Sequence, residues 1–481
     1  MTTIGSPFDA FRRLAAVICA IAFLVGAGSQ TFAGDRASVA GLSMARTFVA
    51  SSRGLEAVGT NPANLALGDN NRRVTFTIVP PLGLNLGSDF IDYEIYDDYF
   101  TGVDTGGGRA GRFLYDADKE KILSVFPDGV AETHGEFEVR LFGLTVHTDN
   151  IGSFALAVTE RAAFNFDMPR DYARFALYFL DTTGYEYNFS GTDARAWWLR
   201  EYSLSYARLL PDLAFARKIS AGVSLKIIHG FGYAGTDHYT ARFASRPDPN
   251  VLAGYRVQGS VDFLVRRSGI DMFGEEKTSF SLFPAPAGAG FGIDFGVGGE
   301  LLSGVRAAVS LVDIGSISWT RNVRERFGSA TIDVTNPSSE AQRDSVENAL
   351  KGDERNGAEF STPLPTALRI GGALRLEETG WTPWLPGKML VALDYHQGFN
   401  KSLGNTTRAR LALGVEYRYW NFLPVRTGIS VGGLDRFSWA FGFGFDFGAF
   451  TMDIGTENFA LLFTPNSFDQ FSFGLGMRIK I

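Results

Sequence analysis

The chain has 481 residues, a formal net charge of −7, and 14% aromatic residues, with 56 glycines, 42 phenylalanines and one cysteine. That acidic balance argues against nucleic-acid binding, which needs a basic footprint, and a lone cysteine excludes both a disulfide framework and a thiolate metal centre. Abundant glycine and phenylalanine instead suit a closed sheet whose strands curve at glycines and whose rims carry aromatic girdles.

At the start, Arg12 and Arg13 precede the apolar run 14–25, which leads to Gly26, Ala27, Gly28 and then Thr31-Phe32-Ala33. A charged n-region, a short h-region and a small-x-small site predict a secretory signal peptide over residues 1–33, cut after Ala33. The run is too short to be an anchor, since a spanning helix needs about 20 apolar residues. Cys19 lies inside the run behind bulky Ile18, so no lipoprotein site is present. Nothing later in the chain has the length of a transmembrane helix.

Residues 34–72 are rich in small side chains and lack strand alternation (SMARTFVASSRGLEAVGTNPANLALGDN). Their length suits a plug or hatch folded inside a barrel. Residues 73–79 (RVTFTIV) alternate as a strand does, and Pro80-Pro81 are expected to stop it. A long connection then fills 82–136, with a helix expected over 117–126, capped by Asp116 or Asp118 and stopped by Pro127.

Strand-like segments follow in series at 137–147, 152–161, 199–209, 218–231, 255–266, 288–298 and 304–312. After the insertion 318–365 they resume at 366–376, 388–397, 408–420, 425–432, 437–447, 450–455 and 471–481. Regular spacing with period-2 patterning predicts an all-β chain, a transmembrane antiparallel β-barrel over 73–481 with long loops at 82–136, 162–198 and 318–365. An outer-membrane barrel takes an even strand count. Fourteen results if residues 73–79 join the N-terminal segment, and sixteen if 238–244 add a further strand; fourteen is the reading preferred.

The side of each strand that meets lipid is plain in two places. Phe437, Trp439, Phe441, Phe443, Phe445 and Phe447 alternate with Ser438, Ala440, Gly442, Gly444 and Asp446. At the end, Phe471, Phe473, Leu475, Met477, Ile479 and Ile481 alternate with Ser472, Gly474, Gly476, Arg478 and Lys480. Successive strand side chains point to opposite faces, so each segment has one greasy and one small or polar face. On other strands Glu138, Arg140, Glu201, Lys226, Arg306, Arg369, Arg375, Asp394, Arg410, Glu416 and Arg418 sit opposite apolar runs. An arginine facing lipid near the midplane costs about 2–4 kcal/mol. These charges are therefore expected to line the lumen, pairing across it or holding a plug.

The insertion 318–365 holds a helix expected over 340–351, with Ser339 as cap, Gln342 completing a capping box and Gly352 ending it. Its dense mixed charge marks it as solvated.

No arrangement calls for catalysis, a cofactor or a metal. The histidines, His134, His147, His229, His238 and His396, form no Ser-His or His-x-His constellation, and Asp394 with His396 read as a luminal hydrogen bond on one strand face. Asp89, Asp92, Glu94, Asp97, Asp98 and Asp104 lack the fixed spacing and central glycine of a calcium loop. Gly106-Gly107-Gly108 and Gly290-x-Gly292 lack the strand-to-helix setting of a phosphate loop.

Four segments carry a resemblance. The last strand is similar to the assembly signal of bacterial outer-membrane proteins, except that it closes on Ile481 rather than Phe or Trp. GLEAVGTNPANLA at 54–66, VDIGSISW at 312–319 and FSTPLPTALRIGG at 360–372 resemble segments of FadL-type transporters of hydrophobic compounds and of PorV-like barrels. The resemblance implies a Gram-negative outer-membrane location, a 14-strand barrel and a lumen occupied by the N-terminal segment carrying Asn61, Pro62, Ala63 and Asn64. It implies as partners outer-membrane lipid, the barrel-assembly machinery and a small hydrophobic ligand that passes this hatch. The polar helix at 340–351 departs from a transporter's apolar extracellular groove and keeps open the other role, a structural or secretion-associated barrel that engages a protein partner through its loops.

Overall fold

The structure is a computed structural model that describes residues 38–68, 72–88, 97–99, 101–104, 106–126, 129–178, 184–251, 254–269, 284–336, 339–433, 437–463 and 470–481. The expected signal peptide, the acidic residues Asp89, Asp92 and Glu94, and Pro127 lie outside the described residues.

Fourteen strands form a closed antiparallel ring. They are β1 (Val74–Ser88), β2 (Val130–Thr148), β3 (Gly152–Pro169), β4 (Asp193–Leu209), β5 (Arg217–Pro247), β6 (Gly288–Leu302) and β7 (Val305–Trp319). There follow β8 (Ala367–Arg375), β9 (Lys388–Gly398), β10 (Arg410–Arg418), β11 (Val425–Gly432), β12 (Phe437–Asp446), β13 (Phe450–Thr456) and β14 (Gln470–Lys480). Each pairs with the next, and the seam closes where Thr75 of β1 lies opposite Lys480 of β14 and Leu84 opposite Phe473. Closure leaves the ring no open edge, the condition for crossing lipid with strands. No helix among the described residues is long and apolar enough to cross a membrane.

The strand count of 14 is as expected, but two members differ. Residues 73–79 do not belong to the N-terminal segment: the strand runs on through Pro80-Pro81 to Ser88 and is one side of the seam. Register shifts between Thr77 and Leu82 absorb the prolines, which have no N–H to give to the ladder. The segment at 255–266 is a strand, Tyr255–Gly269, but it stands outside the ring. It pairs with the upper half of β5, whose 31 residues continue past the barrel, and residues 238–244 are part of that same continuation rather than a sixteenth strand.

This extension is a second sheet layer. Strand Arg324–Val334 pairs with Tyr255–Gly269, and strand Asp353–Asn356 pairs with Arg324–Val334. Tyr187, Phe189, Val257, Val261, Phe263, Ile332 and Val334 form its apolar core, with Tyr172 and Phe175 of helix Arg170–Tyr178 packed against it. The three long loops are therefore shorter than expected, because β1, β2, β3 and β4 and the extension take up parts of them. At the opposite end of the ring most connections are short, such as the turns between Thr148 and Gly152 and between Leu302 and Val305, and the one after β8 holds a helix, Leu376–Thr379.

The lipid face is as the alternation predicts. Ser438, Ala440, Gly442 and Gly444 on β12 are buried inward, while Phe437, Trp439 and Phe447 are exposed. Likewise Phe291, Phe295, Val297, Leu204 and Ile227 form an exposed apolar belt around the outside. This is the architecture of an outer-membrane barrel.

The helix expected at 117–126 spans Asp116–Leu123, and the Asp118 carboxylate accepts the Tyr115 N–H at 3.0 Å. The helix Glu340–Lys351 ends at Gly352 as expected, but Ser339 makes no side-chain cap. The Gln342 side-chain oxygen instead accepts the N–H groups of Thr335 and Asn336 at 3.0 and 2.9 Å, tying the helix to the loop before it.

Candidate functional site

Inside the ring, residues 38–68 pack against the inward wall. They form a helix, Val39–Leu42, and two 3-10 turns, Gly54–Ala57 and Pro62–Leu67, with almost every residue buried. Asn61 ends its stretch extended, and its Oδ1 accepts the Ala63 N–H at 3.1 Å while Pro62 supplies a preset φ at the first position. The side-chain amides of Asn61 and Asn64 both donate to the Val49 carbonyl, at 3.2 and 2.9 Å, folding the segment back on itself. The wall approaches very closely here: a Cβ at Gly222 of β5 would come within 2.5 Å of Pro62.

An irregular backbone buried at membrane depth must find internal partners for its polar groups. The wall supplies them. Arg140 donates to the Leu55 carbonyl at 2.7 Å, Arg369 to Gly59 at 3.3 Å, Arg410 to Ala45 at 3.1 Å and Ser310 to Thr60 at 2.7 Å. Arg306 donates to Asn64 Oδ1 at 3.4 Å, and the Asp394 carboxylate accepts the Val49 N–H at 2.8 Å. His396 lies buried on the same inward face of β9 as Asp394, directly across from Arg369.

Glu416 and Asp446 hold a different place. Glu416 binds Arg418 and Arg426 at 2.7 and 2.6 Å, and Arg418 also meets Asp446 at 3.2 Å. From Arg426 the charges continue through Asp453 and Arg478 to Glu56 of the N-terminal segment, each link between 2.6 and 3.2 Å. Arg375 is the exception among the expected luminal charges. It sits at the short-turn end of β8, partly exposed, beside Glu378 at 3.4 Å.

A second buried network crosses the wall of β2 through β7. Lys226 is fully buried, 2.6 Å from Asp294, 2.5 Å from Asp313 and 4.0 Å from Glu201. Arg161 lies 3.7 Å from Glu138, 3.8 Å from Glu201 and 3.7 Å from Asp313. The geometry turns on Asp313. Its φ of 55° places it in the left-handed region, and the ladder to β6 slips there. Before it Arg306, Ala308 and Ser310 face inward; beyond it Ile317 and Trp319 do, so the bulge exchanges the faces of β7.

Above this charged layer lies an apolar chamber of about 250 Å3. Trp197, Leu199, Tyr233, Ile317, Trp319, Leu364 and Leu403 line it, with Arg195 and Lys401 at its polar side. The Arg161 guanidinium sits 5.3 Å from the Trp197 ring, so the charged layer is the chamber's floor. Trp319 stacks near Phe360, and its indole N–H donates to Thr362 Oγ1 at 2.9 Å. Residues 312–319 and 360–372, far apart in sequence, therefore meet as one wall.

Among the residues that matter here, Arg161, Asp294, Asp313, Arg426, Asp453 and Glu457 were not singled out from the sequence. Arg426 and Asp453 follow the same alternation as the others and could have been found. Asp313 lies at a bulge, and Glu457, which pairs with Arg46 and Arg410 at 2.7 and 2.8 Å, lies just past a strand end. Period-2 reasoning fails at both.

Several solved structures, transporters among them, resemble the chain at low identity. The toluene transporter TbuX of Ralstonia pickettii is 11% identical over 92% of this chain and 98% of its own, with a TM-score of 0.46. A FadL homologue of Pseudomonas aeruginosa is 11% identical over 93% and 99%, TM-score 0.47, and the toluene transporter TodX of P. putida is 10% identical over 91% and 98%, TM-score 0.41. Likenesses this distant carry nothing about either fold or cargo. No curated protein matches the sequence. Residues 69–457 match a family of unknown function, DUF5723, and the chain belongs to that family.

Proposed function

We propose that the barrel passes small hydrophobic molecules across the outer membrane. The observation that carries this reading is the chamber: an apolar, aromatic-walled space of about 250 Å3 set inside a lipid-embedded ring and floored by buried charge. An apolar cavity of about 150 Å3 takes one benzene ring, so this volume suits a compact hydrocarbon of one or two rings. Tryptophan and tyrosine walls give such a ligand large contact area at little entropic cost. Asn61, Pro62, Ala63 and Asn64 are then the hatch, and the arginines that bind their segment set how readily it yields.

The test is binding followed by passage. Tryptophan fluorescence of the purified barrel, titrated with toluene or naphthalene, reads occupation through Trp197 and Trp319. Uptake into proteoliposomes reads passage. Binding lost in Trp319→Ala together with slowed uptake supports the reading; uptake equal to that of empty vesicles overturns it.

A second reading rests on the extension. Its strands have their own core rather than forming loose loops, and the exposed helix Glu340–Lys351 presents charge. A barrel that serves a secretion machine would engage its protein partner there. Co-purification of a stoichiometric partner that is lost on deleting residues 323–357 would favour this reading over transport.

A further inference from the structure

We propose that Arg267, Arg324 and Arg326 form a site on the outer face of the extension for the phosphate group of an outer-leaflet lipid. Arg267 and Arg324 are direct cross-strand partners, and Arg326 follows two residues along the same face. Like charges placed directly opposite in a ladder destabilise it. Glu354 of the adjoining strand answers two of them, 2.5 Å from Arg267 and 3.4 Å from Arg326. Hydrogen bonds from Arg267 hold that carboxyl below its ordinary range, so it is charged and already engaged. Among the described residues no carboxylate pairs with Arg324, which is exposed.

The opposite face of the same strands is balanced. There Arg266 and Arg355 meet Glu325 at 3.4 and 2.8 Å, and Arg266 also meets Asp237 at 3.0 Å. Among the described residues, the uncompensated arginine is therefore on one face, in a chain whose net charge is −7.

Position identifies the anion. Arg267 lies opposite Ala234, just past the point where the β4–β5 ladder slips and β5 begins to leave the ring. Below it on the outside, Leu225, Ile227, Phe291 and Phe295 are exposed as part of the lipid belt. The arginines thus stand where acyl chains give way to headgroups. Planar guanidinium forks match phosphate oxygens bidentately and are less hydrated than ammonium. A phosphorylated outer-leaflet lipid, its chains along the belt and its phosphate on the fork, satisfies both surfaces at once.

The full-length barrel in mild detergent would be titrated with diphosphoryl lipid A, with dephosphorylated lipid A and with inorganic phosphate, reading thermal stabilisation. Diphosphoryl lipid A is expected to bind, and Arg324→Gln or Arg326→Gln to weaken it about fivefold each. Glu354→Gln is expected to strengthen it, and Arg256→Gln, which removes a pair with Asp333 at the far end of the extension, to leave it unchanged. Equal binding of the dephosphorylated lipid, or unaltered binding in both arginine variants, overturns the proposal. Inorganic phosphate acting alone at the same concentration would assign the patch to a soluble anion and overturn it too. Heat-modifiable gel mobility certifies that each variant is folded, and Glu354→Gln decides the matter if an arginine variant is not.

Discussion

The Trp319 indole N–H donates to Thr362 Oγ1 at 2.9 Å, adding a side-chain bond to the ladder that pairs β7 with the strand Phe360–Pro363 at the chamber wall. Trp319 is fully buried, so its N–H has no water to fall back on. Thr362→Val keeps the shape and removes the acceptor. The expected cost is about 1–3 kcal/mol, seen as a lower thermal midpoint, with weakened binding of an aromatic probe. Unchanged stability and binding would show the indole finds another acceptor.

Lys226 is the second test. It offsets carboxylates of Asp294 and Asp313 at zero exposure. Lys226→Met leaves those charges buried and uncompensated, a loss of about 3–5 kcal/mol. Lys226→Met with Asp313→Asn should recover part of it, since asparagine tolerates the left-handed backbone at 313. Recovery by Asp313→Ala as large as by Asp313→Asn would remove backbone strain from the account.

Charge on the lipid face should be read against charge on the lumen face. Phe443→Arg places a guanidinium in the belt, at about 2–4 kcal/mol near the midplane, and should slow assembly into the heat-modifiable form. Gly442 is no permissive control, although it faces inward. A Cβ there would run into Ser43, so Gly442→Asp should fail as well, by collision with the N-terminal segment. Deleting residues 38–68 along with Gly442→Asp should rescue the second defect and not the first.

The wall arginines make a fourth prediction. Arg140→Ala and Arg410→Ala each strip a donor from a buried carbonyl, of Leu55 and Ala45. Each should cost about 1–3 kcal/mol and raise channel conductance in planar bilayers, the double variant more than either alone. Deleting residues 38–68 should raise it further. A folded deletion with unchanged conductance would mean that side chains of the wall, not this segment, close the lumen.

The lipid face was legible because lipid imposes a strict period of two, as Phe437 to Phe447 show. The same period pointed inward to Arg140, Arg306, Arg369 and Arg410, and these do meet residues 38–68. It misled wherever the period breaks. Pro80-Pro81 look like a stop yet sit in register shifts of a seam strand, and Asp313 exchanges the two faces of β7 in a single residue. The chamber was invisible for that reason: Ile317 and Trp319 fall on the wrong parity unless the bulge is known. Residues 255–266 have a strand's pattern on both readings, and only their partner, the overhang of β5, tells that they lie outside the ring.

The seam has a bearing on the order in which this protein is made. It joins β14 to β1, and β1 comes next in the structure after residues 38–68, which pack on the inward wall. That stretch is gripped from β2, β7, β8, β10 and β14 at once, through Arg140, Arg306, Arg369, Arg410 and Arg478. A segment held from so many strands is hard to thread into a ring already closed. The first residues to fold inward must therefore wait, loosely held, while wall after wall is added, and are locked only when the last strand finds the first. The barrel is zipped shut around its own beginning.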